Sequence, residues 1–389
     1  MTARDARAAV MDAAKRPRLR EPNVALVSIG IGRVQRGFER YFSQLFDILR
    51  AEIPISLFRS AGGQRKRDIV PPGLRWVTQV ARRAPLDWLA GRAEYNRDCL
   101  AFAATMIPRL VREDYDVIHC IDPPLAYALR HAKRVMRLRA RILFTEGSVM
   151  PPGYYPRVDH IHHVAHVAHA NAIAHGVGPE RMTLLPCGLR VERFPVLDDQ
   201  RALRERQGIG AATFVVLAVT AVKKVHKRVD HIVREVERLP GDVLLWIDGN
   251  PEDDALVEFA RQRLGSRLRI THVPSDEVAT LYRAADIMVH AALEESFGLA
   301  IVEAACSGTP VLVHDDPHFE WLLGGRGRLV DMREEGALAA RLAEIAANRE
   351  AERAAAHASA EAIRRRFDWA ALAPQYLDMY RRVSGKAIR

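Results

Sequence analysis

Apolar residues fall along this chain in two alternating kinds of run. Short β-rich stretches, apolar at nearly every position, suit strands buried on both faces of a parallel sheet. Between them lie longer stretches with apolar positions three and four apart, the spacing of one helix face. The first strand is Val24-Ala25-Leu26-Val27-Ser28-Ile29, which breaks at Gly30-Ile31-Gly32. A helix follows from Gly37, with Phe38, Tyr41, Phe42, Leu45, Phe46 and Leu49 at helical spacing. Further strands are expected over Ile53 to Phe58, Asp116 to Ile121 and Arg141 to Thr145. A second series runs through Thr213 to Val219, Val243 to Ile247, Leu268 to Val273, Ile287 to His290 and Pro310 to His314. Strand and helix alternate throughout, so the pattern predicts an α/β chain of two successive doubly wound halves. The regular pattern is interrupted between Leu189 and Gly210, and the boundary is placed near Pro195. Residues 336–366, rich in Ala, Arg and Glu, read as helices with solvated charged faces.

Composition narrows the class without naming a chemistry. The 389 residues are 49% apolar and 27% charged, which excludes disordered, collagen-like and coiled-coil chains and leaves room for two domains. No stretch reaches the roughly 18 to 20 apolar residues of a membrane span, so no transmembrane helix is expected. Residues 1–20 carry Arg4, Arg7, Lys15, Arg16, Arg18 and Arg20 without an apolar core, and read as a basic flexible tail and not a secretory signal. Cys99, Cys120, Cys187 and Cys306 form no CxxC pair and are expected as buried, reduced thiols of a cytoplasmic protein.

Charge changes the picture more. The net +10 is uneven: residues 1–195 hold 31 basic and 18 acidic side chains, while residues 196–389 hold 27 and 30. The excess sits in the tail, in Arg65-Lys66-Arg67, and in Arg130, Lys133, Arg134, Arg137, Arg139 and Arg141, expected on one helix. The first half should therefore face an anionic partner, a membrane surface or a phosphorylated substrate. Nucleic acid is not expected, because neither a helix-turn-helix pattern nor an aromatic platform is present.

The chemistry concentrates in residues 294–310, EESFGLAIVEAACSGTP. The segment follows the strand ending at His290, which delivers Glu295 to the carboxyl edge of a sheet, where open α/β folds bind ligands. Gly298 allows close approach of backbone to a ligand. Leu299 to Cys306 reads as a buried helix whose N-terminal amides, near Phe297 to Ala300, suit a phosphate, and Gly308 and Pro310 end it. A second carboxylate, Glu303, inside so apolar a helix requires partners.

This E-x7-E pattern, followed by small residues, Gly and Pro, resembles the donor-site signature of retaining GT-B glycosyltransferases of the family 4 type, the glycosyl transferases group 1. Weaker matches accompany it. Arg36-Gly37-Phe38-Glu39-Arg40-Tyr41 is similar to the family's glycine-rich loop after the first strand, with Arg36 where a glycine is common. Leu185-Pro186-Cys187-Gly188-Leu189 through Phe194 is similar to the hinge segment, and Asp248-Gly249-Asn250 to the G-x-G turn of the nucleotide domain. Phe367-Asp368-Trp369, Tyr376 and Tyr380 resemble the final helix, which in this fold crosses back to the first domain.

The resemblance implies two Rossmann-like domains facing across a cleft: an acceptor-side domain over residues 21–195, a donor domain over 196–366, and a returning helix over 367–389. It implies transfer of a sugar from a nucleotide-diphosphate sugar to an acceptor, with retention and without a metal or cofactor. Glu295 is then expected on the donor sugar's hydroxyls; Ser296, Phe297, Gly298 and Leu299 beside sugar and phosphate; and Glu303 on the ribose. Lys227 stands where the family places a diphosphate-binding lysine, with Arg228 beside it. The family's partner arginine is replaced near Ala221 and Val222, leaving Lys223 or Lys224 to supply charge. Gly32, Gly249 and Val273 complete the expected donor contacts. Glu146 occupies the place of a family histidine near the reacting carbon; it either orients the acceptor or stabilises positive charge, or is a structural glutamate bonded to loop amides. The acceptor is expected to be anionic or lipid-linked, with peripheral contact at the inner face of the membrane. A nucleotide-sugar epimerase of the same fold and a non-catalytic binding protein on this scaffold are the alternatives.

One histidine-dense stretch stands outside this frame. His160, His162, His163, His166, His169 and His175 read as a solvated or interdomain helix with His162, His166 and His169 on one face; a metal site and a pH-responsive partner surface remain open.

Overall fold

The computed structural model describes residues 20–34, 37–62, 66–83, 94–136, 138–147 and 155–386. The basic tail before residue 20, Arg36, Arg65 and Arg137 lie outside the described residues. The first half runs β1 (Val24–Ser28), α1 (Gly37–Leu49), β2 (Ile55–Arg59), β3 (Asp68–Ile69), α2 (Leu74–Arg83), α3 (Glu94–Arg112), β4 (Val117–Cys120), α4 (Pro123–Val135), β5 (Arg141–Glu146), β6 (His160–His163), α5 (His166–Ala174) and β7 (Met182–Leu184). Its strands form one parallel sheet in the order β3-β2-β1-β4-β5-β6-β7.

The second half opens with α6 (Gln200–Arg206), β8 (Phe214–Val219), α7 (Val229–Glu237), β9 (Val243–Asp248), α8 (Asp254–Leu264), β10 (Leu268–Thr271), α9 (Val278–Ala284) and β11 (Ile287–His290). It continues with α10 (Leu299–Cys306), β12 (Val311–His314), α11 (Pro317–Leu323), β13 (Arg328–Val330), α12 (Ala337–Ala347) and α13 (Arg349–Phe367). Its parallel sheet has the order β10-β9-β8-β11-β12-β13. In each sheet the order reverses beside the first strand, between β1 and β4 and between β8 and β11. The crevice at such a switch point is where a doubly wound sheet receives its ligand.

The last helix, α14 (Trp369–Ser384), crosses back onto the first domain. Polar contacts fix its place. Tyr376 Oη donates to the Pro186 carbonyl at 2.9 Å and receives the Tyr41 hydroxyl at 3.0 Å, while Trp369 Nε1 donates to Gln44 at 3.0 Å. Tyr41, Tyr376, Tyr380 and Trp369 are buried within a core that runs from α1 through the hinge residues Leu185, Cys187 and Leu189 to Phe297 and Phe367. All four cysteines are buried thiols. No helix among the described residues is long and apolar enough to cross a membrane.

Several expectations need correction. His160 to His163 form a buried strand, not part of a helix, so His162 does not share a face with His166 and His169. The buried His162 ring is bonded on both nitrogens: Nδ1 lies 2.8 Å from Thr145 Oγ1, and Nε2 2.8 Å from the Leu185 carbonyl. The basic residues 130–141 are not on one helix either; α4 ends at Val135, Arg139 lies in the following loop and Arg141 begins β5. The short strands β3, β7 and β13 carry too few residues to show a period in sequence.

Candidate active site

The loops that follow β8 and β11, the two strands at the second sheet's switch point, bring the main charged groups together. Glu295, five residues past the end of β11, is ion-paired with Lys227 Nζ from the β8 loop. His290, the last residue of β11, places Nε2 3.0 Å from the same Glu295 oxygen, and the Ser296 amide donates to the other at 3.2 Å. Burial alone would raise the Glu295 carboxyl, but His290 and Lys227 more than offset it and hold the group well below the usual carboxylate range. Glu295 is thus a fixed anion at the cleft. The Lys227 loop is also conformationally unusual: His226 (φ 66°) and Arg228 (φ 49°), two of four non-glycine residues with positive φ among the described residues, bracket the lysine.

Helix α10 begins beside Glu295. Gly298 caps it at φ 92°, a conformation that L side chains rarely adopt, and a Cβ there would lie 2.8 Å from Ile301 Cδ1. The first-turn amides of α10 have no intrahelical acceptor and carry the positive end of the helix dipole. Phe297 is buried against Phe367, and its carbonyl lies 3.1 Å from His318 Nε2. On the inner side of α10, Glu303 is ion-paired through Oε1 with Arg40 Nη2 of α1 at 2.6 Å, and its Oε2 accepts a hydrogen bond from Tyr282 Oη at 3.0 Å. The first of these partners comes from the other domain.

Other expected donor contacts are placed differently. Lys223 is paired with Glu252 at 3.3 Å, Lys224 is exposed, and Arg228 turns its guanidinium to the Met332 carbonyl at 2.8 Å. Val273 is half-buried against the core, with its amide on Asp248 Oδ1 at 3.0 Å. Gly32 and Gly249 are required by the chain itself. A Cβ would stand 1.9 Å from the Ala61 carbonyl oxygen in the first case and 2.0 Å from that of Thr220 in the second. Ser296 and Leu299 flank the Glu295 and α10 N-terminal corner, and Leu299 packs on Gly37 of the first domain.

The facing wall comes from the carboxyl ends of β5 and β6. Glu146 ends β5 in register with His163 of β6, and Glu146 Oε2 lies 2.7 Å from His163 Nδ1, both buried. Gly147 packs on Phe38 of α1. Beside them, the His166 ring stands 5.1 Å from Trp321 of α11, a contact between the domains. Among the described residues no three His, Cys, Asp or Glu side chains converge as a cation would require. The sequence pattern points to no role for Arg40, Tyr282 or His290, and places His163 only within the histidine-dense stretch. Arg40 lies inside the quoted glycine-rich motif, and His290 closes an expected strand, but their pairing with Glu303 and Glu295 depends on long-range packing that no local pattern records.

Residues 213–348 match the family model described as glycosyl transferases group 1. The second domain is a group 1 glycosyltransferase domain. The glycosyltransferase domain is also 35% identical over 147 residues to the D-inositol 3-phosphate glycosyltransferases of Mycobacterium tuberculosis (strain ATCC 25618 / H37Rv) and Mycobacterium bovis (strain ATCC BAA-935 / AF2122/97). That similarity spans 36% of this chain and 30% of the relatives' length. Over the whole fold, the chain is similar to sucrose-phosphate synthase from Thermosynechococcus elongatus, with a TM-score of 0.77 at 19% identity, covering 94% of this chain and 100% of that one. It is also similar to Anabaena HepE, solved in complex with UDP-glucose, with a TM-score of 0.73 at 16% identity over 92% and 99% of the two chains. The fold is GT-B: two parallel-sheet Rossmann-like domains and a helix that returns to the first.

Proposed function

We propose that this chain is a retaining glycosyltransferase that takes a sugar from a nucleotide-diphosphate donor without a metal ion or cofactor. The observation that carries the reading is the Glu295, Lys227 and His290 cluster set against the N-terminus of α10 at the switch point of a group 1 domain. Lys227 and the first-turn amides of α10 stabilise the charge that develops on the departing diphosphate. Glu295, held ionised, accepts hydrogen bonds from the donor sugar's hydroxyls. Ser296, Phe297, Gly298 and Leu299 shape the floor beneath the sugar and phosphates, and Glu303 takes the ribose. Gly32, Lys223, Lys224, Arg228, Gly249 and Val273 act around this centre through loop shape and local charge. Glu146, braced by His163, faces the reacting carbon from the acceptor side and favours developing positive charge there.

The reading is supported by a relative whose name includes a glycosyltransferase and by a fold neighbour solved with UDP-glucose. The test is consumption of a panel of nucleotide-diphosphate sugars in EDTA, with the product anomer read by NMR. The wild type should transfer with retention, and Glu295→Gln should lower turnover by roughly 100-fold or more. Failure of both proteins to consume any donor would overturn the reading, and release of a free epimerised sugar without acceptor would replace it with epimerase chemistry.

The acceptor is proposed to be anionic or lipid-linked, met by a cytoplasmic enzyme at the inner face of a membrane. Helix α2 supports this: Trp76 is 69% exposed and Val80 half-exposed, with Arg75 and Arg83 on the same short helix and Lys66 and Arg67 before it. Co-sedimentation with anionic vesicles, and not with neutral ones, is the expected result. Equal and negligible binding to both would remove the membrane contact.

A further inference from the structure

Glu303 is the most deeply buried carboxylate of the candidate site, and one of its two partners does not belong to its own domain. Its side chain is 2% exposed. Oε2 receives the hydroxyl of Tyr282, on α9 of the same domain, while Oε1 is met by Arg40, which reaches across from α1 and keeps 31% of its own side chain exposed at the domain junction. Removing a charge from water in this way costs several kcal/mol unless a partner of opposite sign accompanies it. Among the described charged groups, Arg40 approaches the carboxylate directly, Arg193 acts on it at longer range, and Cys306, one turn farther along α10, is a neutral buried thiol.

A carboxylate offers about four acceptor sites on its two oxygens; Tyr282 fills one on Oε2, while Oε1, ion-paired with Arg40, is buried and accepts no hydrogen bond from the described residues. Each oxygen therefore keeps an acceptor site, as the vicinal hydroxyls of a ribose require. A protonated carboxyl could not serve both hydroxyls, because one oxygen then carries a proton and acts as a donor.

We infer that Arg40 is a positioning residue for donor ribose, holding Glu303 ionised and oriented from the opposite domain so that both ribose hydroxyls are recognised only when the two domains meet. This rests on the proposed function, in which Glu303 takes the ribose, and adds that recognition of the nucleotide is a property of both domains. The placement of Leu299 against Gly37, three residues before Arg40, gives the same junction an apolar contact that fixes the approach of α1 to α10.

The test uses the full chain and calorimetric titration with ADP, GDP and UDP, each beside its 2′-deoxy counterpart. Whichever of the three binds the wild type most tightly should bind roughly 10-fold more tightly than its deoxy form, as expected where a buried carboxylate loses a partner hydroxyl. In Arg40→Gln that preference should fall to within about twofold, through loss of affinity for the ribonucleotide and little change for the deoxynucleotide. Arg40→Lys, which keeps the charge but not the planar fork, should retain part of the preference. A merely structural role would weaken both nucleotides alike. An unchanged preference in Arg40→Gln overturns the inference while leaving the proposed function intact, whereas a wild type that binds none of the three diphosphates overturns both. Should Arg40→Gln fail to fold, Arg40→Lys decides: a wild-type preference at wild-type affinity overturns the inference.

Discussion

Lys227 and Glu295 illustrate how one contact can serve two states. With each other as partners, the pair is a shielded ion pair beside His290; under the proposed function, a donor takes the lysine for its diphosphate and the carboxylate for its sugar. Lys227→Ala should therefore weaken nucleoside diphosphate binding by roughly 10- to 100-fold, the value of one charge-assisted hydrogen bond of about 1.5–3 kcal/mol. Lys224→Ala, at an exposed position in the same loop, should change binding by less than about twofold. Titration calorimetry on the two variants checks the contrast, and equal losses would show that the loop contributes only diffuse charge. At this scale the sequence was informative about residue type and silent about pairing. Glu303 stands out because a carboxylate is costly in an apolar helix, Glu295 because it follows a strand to the sheet's carboxyl edge, and Lys227 because it stands where the resembled family places a lysine. Arg40 does not stand out, since an arginine in a helix is ordinary until a second domain places it 2.6 Å from a buried glutamate.

Among the elements, α10 is the one most completely written in local sequence. Leu299–Cys306 is apolar, bounded by Gly298 before it and Ser307-Gly308 after it, and the observed helix has the expected limits. Gly298→Ala should destabilise the fold by about 1–2 kcal/mol through its left-handed backbone, before any added cost from the contact with Ile301. A fall in Tm with a parallel loss of diphosphate affinity is expected, and an unchanged Tm would show that the cap tolerates a side chain. Strand β6 is the opposite case. Its sequence, His-Ile-His-His, has a polar majority and reads as helix or surface, yet Ile161, His162 and His163 are buried: Thr145 and the Leu185 carbonyl satisfy the His162 ring, and His163 lies against the Glu146 carboxylate. Periodicity records hydrophobicity, not satisfied hydrogen bonds, so such a strand escapes it. Helix α14 lies between these extremes: its aromatic residues were visible, but its destination came from resemblance. Tyr376→Phe, which strips the buried hydroxyl from the Pro186 carbonyl and from Tyr41, should cost about 1–3 kcal/mol in chemical denaturation.

The whole molecule carries a pH dependence through the same buried histidines. Burial pushes the imidazoles of His119 and His162 down, His162 to about 3 despite the opposing Leu185 carbonyl. In the unfolded chain both titrate near the ordinary value of 6.5. The unfolded state therefore binds more protons below that pH. Stability is complete above about pH 6.5 and falls as the pH drops, by about 1.4 kcal/mol per pH unit for each histidine. Denaturant midpoints measured from pH 7.5 to 5 should fall steeply, and His162→Gln should flatten the slope.

The charge asymmetry is also a whole-molecule property, with a cationic first half and a slightly anionic second. It was legible by counting, but its layout was not, because Arg139 and Arg141 leave the helix on which spacing had placed them. The proposed donor site calls only for local positive charge, at Lys227 and the α10 N-terminus.

That local claim is tested most directly by titrating the wild type, Lys227→Ala and Glu295→Gln in EDTA with nucleoside diphosphates and the corresponding diphosphate sugars. The wild type should bind at least one diphosphate and its sugar. Lys227→Ala should lose affinity for both, and Glu295→Gln should lose affinity for the sugar form while keeping that for the diphosphate. Wild-type affinity for both ligand forms in both variants would place the donor elsewhere and contradict the account.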